Sequence, residues 1–212
     1  MLLRFVSKAN FFITFLFMPI ILLASNPSQP DPTLVNFLAA PENCPNPCWQ
    51  GIRPGVTGAQ EAMDILQAHP WVNSVTVTAG ISDNPSHPGN EGVIYCDWNG
   101  QQSPVLGVFS LGGSIDVREN TVRVIKMVTT VPFAEAWQAL GWPDEGSLRP
   151  SRSFGELYDV HLALYKDEGI MLRSIIPQPI STYKYWNAQV EIHIQANLIA
   201  DSRYRLPCWM AC

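Results

Sequence analysis

The sequence predicts an α+β fold of two layers, in which helices pack on an antiparallel sheet. Two observations lead to this prediction. Apolar residues recur at helical spacing in residues 57–70 and again in residues 132–141. Segments rich in β-branched residues, separated by turn residues, follow each of these stretches. One helix followed by antiparallel strands, twice over, predicts a tandem duplication of a helix-plus-strands unit.

The first helix has a marked beginning and end. Thr57 is predicted to cap it, with Gln60 completing a capping box, and Pro70 ends the segment. Its apolar stripe consists of Ala62, Met63, Ile65 and Leu66. The second helix is predicted to begin near Pro132, a favoured residue of the first turn, and to stop at Gly141.

Strands are predicted on both sides of the second helix. They cover residues 74–79, 93–98, 105–111, 121–129, 156–165, 170–176 and 188–195. Turns are expected at Asn99-Gly100 and at residues 166–169.

The two helices also resemble each other in sequence. Glu61-Ala62-x-x-Ile65-Leu66 matches Glu135-Ala136-x-x-Ala139-Leu140, and further along Gly92-x-Ile94-Tyr95 matches Gly155-x-Leu157-Tyr158. Because the matches occur in the same order, we predict a first repeat over residues 47–130 and a second over residues 131–212.

The motif Gly-x-Thr-x3-Glu-Ala-x2-Ile-Leu, followed by strands, resembles the small modules of the BamE-like outer-membrane assembly lipoproteins. Doubled, it is similar to the tandem module of beta-lactamase inhibitory proteins. Residues 47–57, Pro-Cys-Trp-x-Gly-Ile-x-Pro-Gly-x-Thr, also resemble the opening of uncharacterised exported bacterial proteins. These motifs consist of caps and core positions, so the resemblance implies a fold and transfers no functional residue. The lipid-attachment cysteine of the assembly lipoproteins is absent.

The N-terminus indicates export. Arg4 and Lys8 precede an apolar run from Phe11 to Ala24, which is shorter than the about 20 residues of a membrane-spanning helix. We predict a signal peptide over residues 1–25, with an uncleaved N-terminal anchor as the alternative, and an extracytoplasmic location. Residues 26–46, rich in Pro, Asn and Ser, are expected to form a linker or extended arm.

Two Cys-x3-Cys pairs bracket the globular sequence: Cys44 with Cys48, and Cys208 with Cys212. A four-thiolate metal site is the alternative to disulfides, but zinc knuckles favour two intervening residues, and exported thiols tend to oxidise. We therefore predict disulfides that fasten the N-terminal arm to the C-terminal tail. Cys96, in an alternating strand pattern, is the expected unpaired residue.

Composition makes nucleic acid an improbable partner. Removing Arg4 and Lys8 takes the net charge from −5 to −7, and the remaining basic residues are scattered singly. Nucleic-acid binding requires clustered neutralisation of phosphates. No phosphate loop, Gly-x-Ser-x-Gly elbow or His-Glu-x-x-His motif is present, and no cofactor, metal or catalytic residue is predicted.

A polar cluster is possible on the exposed face of the sheet. Strand alternation places Asp159 and His161 together on one side of their strand, and Glu191 and His193 on one side of theirs. If the two strands are neighbours, the four side chains would meet and could bind a metal or act as an acid–base pair. An ordinary solvated strand face is the alternative.

Three tryptophans flank turns and are candidates for binding: Trp71, Trp142 and Trp186. Exposed aromatic rings are common anchors for protein or glycan partners. Packing over loops is the alternative.

Three functions remain open. The leading hypothesis is an exported, non-enzymatic module that presents a sheet face or a loop to a protein or another component of the cell envelope. The second is a small hydrolase or metal-dependent enzyme that uses the His161/His193 cluster. The third is binding of cell-wall glycan.

Overall fold

The computed structural model describes residues 32–79, 91–106, 112–153 and 155–196. Four helices occur in these ranges: α1 (Pro32–Leu38), α2 (Ala59–Ala68), α3 (Phe133–Leu140) and α4 (Thr182–Asn187). Eight strands complete the fold: β1 (Val72–Ala79), β2 (Glu91–Trp98), β3 (Gly113–Arg118), β4 (Thr121–Pro132), β5 (Glu145–Ser153), β6 (Glu156–Tyr165), β7 (Ile170–Pro177) and β8 (Gln189–Gln195). The described residues contain no helix long and apolar enough to cross a membrane.

All eight strands form one antiparallel sheet in the order β1-β2-β3-β4-β8-β7-β6-β5. α2 is followed by β1 to β4, and α3 is followed by β5 to β8, with α4 between β7 and β8; the two sets of strands meet where β4 pairs with β8. The structure therefore confirms an antiparallel sheet accompanied by helices, and it is mostly β in content.

One face of the sheet forms the core. A row of side chains crosses six strands on this face, each paired with the next in the register: Ile94, Ile115, Ile125, Ile194, Ile170 and Tyr165. All six are buried, together with residues of α2 and α3. Isoleucine suits such a row because its branched side chain fits the pleated surface of a sheet.

The segment over residues 26–46, expected to be a linker or extended arm, contains α1. Leu34 and Phe37 of this helix are buried in the core, and Leu38 packs against it. Spacings of three and four residues place these side chains on one helical face, so burial of that face stabilises a short helix that composition alone would not predict.

The first helix begins later than the sequence predicts. Its N-cap is Gly58, whose backbone N–H donates to the Glu61 carboxylate. The buried Thr57 hydroxyl instead accepts a hydrogen bond from the backbone N–H of Arg53, at 2.8 Å. The predicted capping box with Gln60 is therefore wrong, because the Thr57 side chain closes the preceding turn.

Cys44 and Cys48 form a disulfide with each other, with Cα atoms 5.8 Å apart. Both thiols of the first pair are thus used, and neither is left to fasten the N-terminal arm to Cys208 or Cys212. The predicted link between the chain ends is wrong at these two cysteines, while Cys208 and Cys212 lie outside the described residues. The expectation that Cys96 is unpaired is confirmed, since its thiol is free and buried.

Candidate functional site

The face of the sheet opposite the core row is the candidate functional surface, and we call it the open face. The row next to the core row runs through Tyr95, Ser114, Lys126, His193 and Met171, which are paired in register from β2 to β7. Side chains of successive strand residues point to opposite sides, so these residues must face away from the core row.

An ion pair at the centre of the open face joins β7 to β8. Arg173 lies opposite Glu191 in the register, and its Nη1 donates to Oε2 of Glu191 at 2.8 Å. Nε2 of His193 lies 3.2 Å from the other carboxylate oxygen, within ion-pair range but not aligned for a hydrogen bond. His193 and then Arg173 hold the pKa of Glu191 down at about 2, against its partial burial. Glu191 is therefore a carboxylate at neutral pH, and an acceptor rather than an acid.

A second ion pair lies on the neighbouring strands. Nζ of Lys126 is 2.6 Å from Oδ2 of Asp116, and about a third of each side chain is exposed. The open face thus carries charges of both signs, each partly balanced within the sheet. Such an arrangement favours a partner whose own charges alternate over a partner of uniform charge.

Apolar side chains are exposed beside these ion pairs. Val128 lies directly opposite Glu191 and is 47% exposed, Ile175 is also 47% exposed, and Tyr95 is 38% exposed. Apolar side chains left in water on the same face as an Arg–Glu pair have the composition of the central part of a protein interface.

The proposed cluster of His161 with His193 is not formed. His161 lies opposite Ser174, which lies opposite the buried Val190, so His161 points to the core side of the sheet. His193 points to the open face. In addition, β7 separates β6 from β8, and the register offset brings the two Cα atoms to about 14 Å from each other. The condition for the cluster, that β6 and β8 are neighbours, is therefore not met, and the two histidines cannot share one ion.

The structure thereby divides the four predicted residues into two separate pairs. Glu191 and His193 remain together on the open face. Asp159 is buried on the core side, where its Oδ2 accepts a hydrogen bond from Nε2 of Gln178 at 2.8 Å. Within the ranges that the structure describes, no three His, Cys, Asp or Glu side chains are close enough to hold a metal ion.

His161 has an aromatic surrounding that explains its burial. Its ring contacts Phe133 edge-on, with centroids 4.6 Å apart, and its Nε2 lies 3.1 Å from the hydroxyl of Tyr185. Burial lowers the pKa of His161 to about 4, so the ring is neutral at physiological pH. A neutral imidazole enclosed by α3 and α4 contributes to packing between helices and sheet.

The three predicted binding tryptophans have different environments. Trp71 and Trp186 are partly buried against the core, Trp71 beside Phe37 and Trp186 beside Phe133. Trp142 is 73% exposed and meets Trp137 edge-on at 4.9 Å. Of the three, only Trp142 presents most of its ring to solvent.

His69 is the C-cap of α2. Its ring packs edge-on against Trp71, and its Nδ1 accepts a hydrogen bond from the Trp71 backbone N–H. Burial lowers the pKa of His69. It belongs to an aromatic cluster at one end of the sheet.

Sequence reasoning missed Lys126 and Arg173 as residues of the candidate surface. Both occur in strands whose alternation was recognised, Lys126 between Ile125 and Met127 and Arg173 next to Leu172. A charged residue between two core-facing residues of a strand is the signal that indicates the open face.

Three comparisons with known proteins accompany this geometry. A scan against protein-family models finds no match, and searches of the curated proteins and of the solved structures find no significantly similar chain.

Proposed function

We propose that this protein is an exported, non-enzymatic module that binds a partner protein through the open face of its sheet. The observation that carries the proposal is the combination, around the junction of β4 and β8, of exposed Val128 and the Arg173–Glu191 pair. Such residues would need no explanation on an edge strand, but Val128, Arg173 and Glu191 lie on inner strands of an eight-stranded sheet.

The size of the surface supports a protein partner over a small ligand. Exposed apolar side chains on this face extend from Tyr95 on β2 through Val128 on β4 to Ile175 on β7, across about 19 Å at the usual strand spacing. A standard protein interface buries about 800 Å² on each partner, an area that a sheet of this width can supply.

The enzymatic alternative has lost its principal support. It required His161 and His193 in one site, and they lie on opposite faces of the sheet. In the remaining pair, Glu191 is bound to Arg173, and no third His, Cys, Asp or Glu among the described residues is close enough to hold a metal ion with Glu191 and His193.

We also propose that the protein is exported and that its two-layer architecture arose by duplication. The Cys44–Cys48 disulfide agrees with an oxidising compartment. Helices α2 and α3 each precede four antiparallel strands, and the matched motifs fall on corresponding strands, Gly92–Tyr95 on β2 and 155–158 at the start of β6. Duplication of one unit, joined through its last strands, accounts for both the sequence matches and the strand order.

A pull-down with paired variants tests the proposed surface. The folded protein serves as bait against envelope and culture fractions, alongside Val128→Arg on the open face and Val56→Arg in a loop, where Val56 is 63% exposed. We expect wild type and Val56→Arg to retain the same partner and Val128→Arg to lose it, because a long charged side chain would enter the interface. Equal retention by both variants, or no partner with folded bait, would argue against the proposal.

Glycan binding remains as a second candidate because of Trp142. Its exposed ring is supported by Trp137, which in turn packs on Trp186 at 5.3 Å. Such a ring can stack on the apolar face of a sugar. In a polysaccharide pull-down, Trp142→Ala should abolish retention, whereas Val56→Arg should not; retention that survives Trp142→Ala excludes this site.

A further inference from the structure

The two edges of the sheet have different chemistry. β5, at one edge, includes Pro150, which has no N–H to donate, and the charged residues Arg149 and Arg152. Proline and charge on an edge strand prevent another strand from pairing with it. β5 is thus protected against addition of a further strand.

β1, at the opposite edge, has none of these protective features. Its sequence, Val-Asn-Ser-Val-Thr-Val-Thr-Ala, contains no charge and no proline. Thr76, Val77 and Thr78 are exposed, Val77 by 55% of its surface. Within the described ranges, β1 pairs with β2 alone. The backbone groups on the other side of β1 face no other strand in those ranges. A long, uncharged, β-branched edge is a template for pairing with an additional strand.

We propose that β1 pairs antiparallel with β1 of a second copy of this chain, joining two sheets into one of sixteen strands. A second copy is the occupant that the sequence of β1 fits, since a two-fold axis places the strand opposite itself. Neither copy brings a charge into the pairing, so no like charges are opposed. This inference concerns the sheet edge and is independent of the function proposed for the open face.

Symmetry restricts the register of the pairing. A two-fold axis perpendicular to the sheet keeps each face on its own side, so it must pass through a residue and not between two residues. An axis at Thr76 places Val75 opposite Val77 of the other copy, and Ser74 opposite Thr78. These pairs use the regular part of β1, after the irregularity between Val72 and Ser74. Valine pairs and Ser–Thr pairs are favourable across antiparallel strands.

The expected affinity is modest. One pair of edge strands is a small interface, so we expect a dissociation constant of about 1 to 100 μM. Analytical ultracentrifugation of the full chain from micromolar to near-millimolar concentration measures it. Thr76→Lys opposes two like charges at the axis and should reduce dimerisation at least tenfold, while the matched Ser151→Lys on β5 should leave it unchanged.

Cysteine cross-linking provides an independent readout that does not rely on a destabilising variant. With Cys208 and Cys212 replaced by serine, Thr76→Cys brings two thiols to directly opposed positions, where a disulfide forms readily. Thr78→Cys leaves its thiols about 13 Å apart and should not cross-link with itself, but should cross-link when mixed with Ser74→Cys. A chain that stays monomeric at all concentrations overturns the proposal. So does a dimer that persists in Thr76→Lys, or one in which Thr76→Cys fails to cross-link.

Discussion

The hydroxyl of Tyr185 lies 3.1 Å from Nε2 of His161, which joins α4 to the buried side of β6. Phe133 covers the same imidazole edge-on. Burial favours a neutral ring here, because a protonated imidazole would be a cation removed from water. Stability should therefore depend on pH.

The free energy of unfolding should fall as the pH is lowered below neutrality. Burial lowers the pKa of His161 from 6.5 to about 4, so between these values the unfolded chain binds the proton and the folded chain does not. The resulting loss is about 2 kcal/mol between pH 7 and pH 5, and it grows to about 3 kcal/mol near pH 4. Urea unfolding at the two pH values measures it.

The matched variant for this measurement is His161→Gln. Its side-chain amide can still accept a hydrogen bond from the Tyr185 hydroxyl, and it does not titrate. Its unfolding free energy should vary less with pH than that of wild type. Some dependence should persist, since burial also lowers the pKa of His69. Glu191 contributes only at more acidic pH, because its folded pKa of about 2 lies below its ordinary value of 4.5. Equal pH dependence in wild type and variant would refute the role of His161.

Gly112 should tolerate no side chain. Its φ is +71°, and a Cβ there would lie 1.3 Å from the carbonyl oxygen of Cys96. Gly112→Ala must therefore move the backbone of β2 or β3, and we expect a loss of more than about 3 kcal/mol in thermal or chemical unfolding. Gly100 has a similar φ of +88° with open space around it. Gly100→Ala should cost only about 1 kcal/mol, and similar losses for both would contradict the close approach.

Reduction of the Cys44–Cys48 disulfide should have a moderate effect. The two residues are separated by four positions, and closing so short a loop stabilises the fold by about 2 kcal/mol in the chain-entropy model. The double variant Cys44→Ser with Cys48→Ser should lose about that amount in denaturant unfolding. Non-reducing peptide mapping should recover Cys44 joined to Cys48. A peptide joining either residue to Cys208 or Cys212 would reinstate the link between the chain ends.

Ser174 offers a stabilising substitution. It is 1% exposed, lies opposite His161, and its hydroxyl has no hydrogen-bond partner among the described residues. Removing a buried unsatisfied hydroxyl should stabilise the protein by about 1 kcal/mol, so Ser174→Ala should raise the midpoint of urea unfolding. Thr129→Ser is the control, since the Thr129 hydroxyl donates to the Val190 carbonyl and the variant keeps that bond. A lower midpoint for Ser174→Ala would indicate a partner for the hydroxyl.

Much of the sheet could be read from alternation and turn residues. The predicted strand over residues 156–165 coincides with β6, and the turn before β7 has Gly169 at a φ of +67°. β5 was missed because its Pro150 and serines suppress the strand pattern, and those residues occur there because the strand is at an edge. β3 was not predicted, because it begins at Gly113 directly after Gly112, and adjacent glycines usually indicate a turn.

The candidate site was less accessible to sequence reasoning, for a reason visible in β6. Alternation correctly grouped Asp159 with His161, but Leu162 and Leu164 on one side and Ala163 and Tyr165 on the other are all buried. When both faces of a strand carry apolar residues, the pattern cannot decide which face meets the helices. The pairing of β8 with β4 and β7 depends on tertiary contacts, which no local sequence pattern reveals.

Because β4 pairs with β8 at the middle of the sheet, the sheet can be completed only after β8 has been synthesised. β4 ends at Pro132, yet its second partner, β8, begins only at Gln189. Until β8 emerges, β4 of the nascent first half is paired with β3 alone, and its other edge stays open. Folding must then close a long loop before the sheet is complete, which makes late folding slow and exposes the chain to aggregation. Shielding of this strand by a chaperone would protect it during that interval.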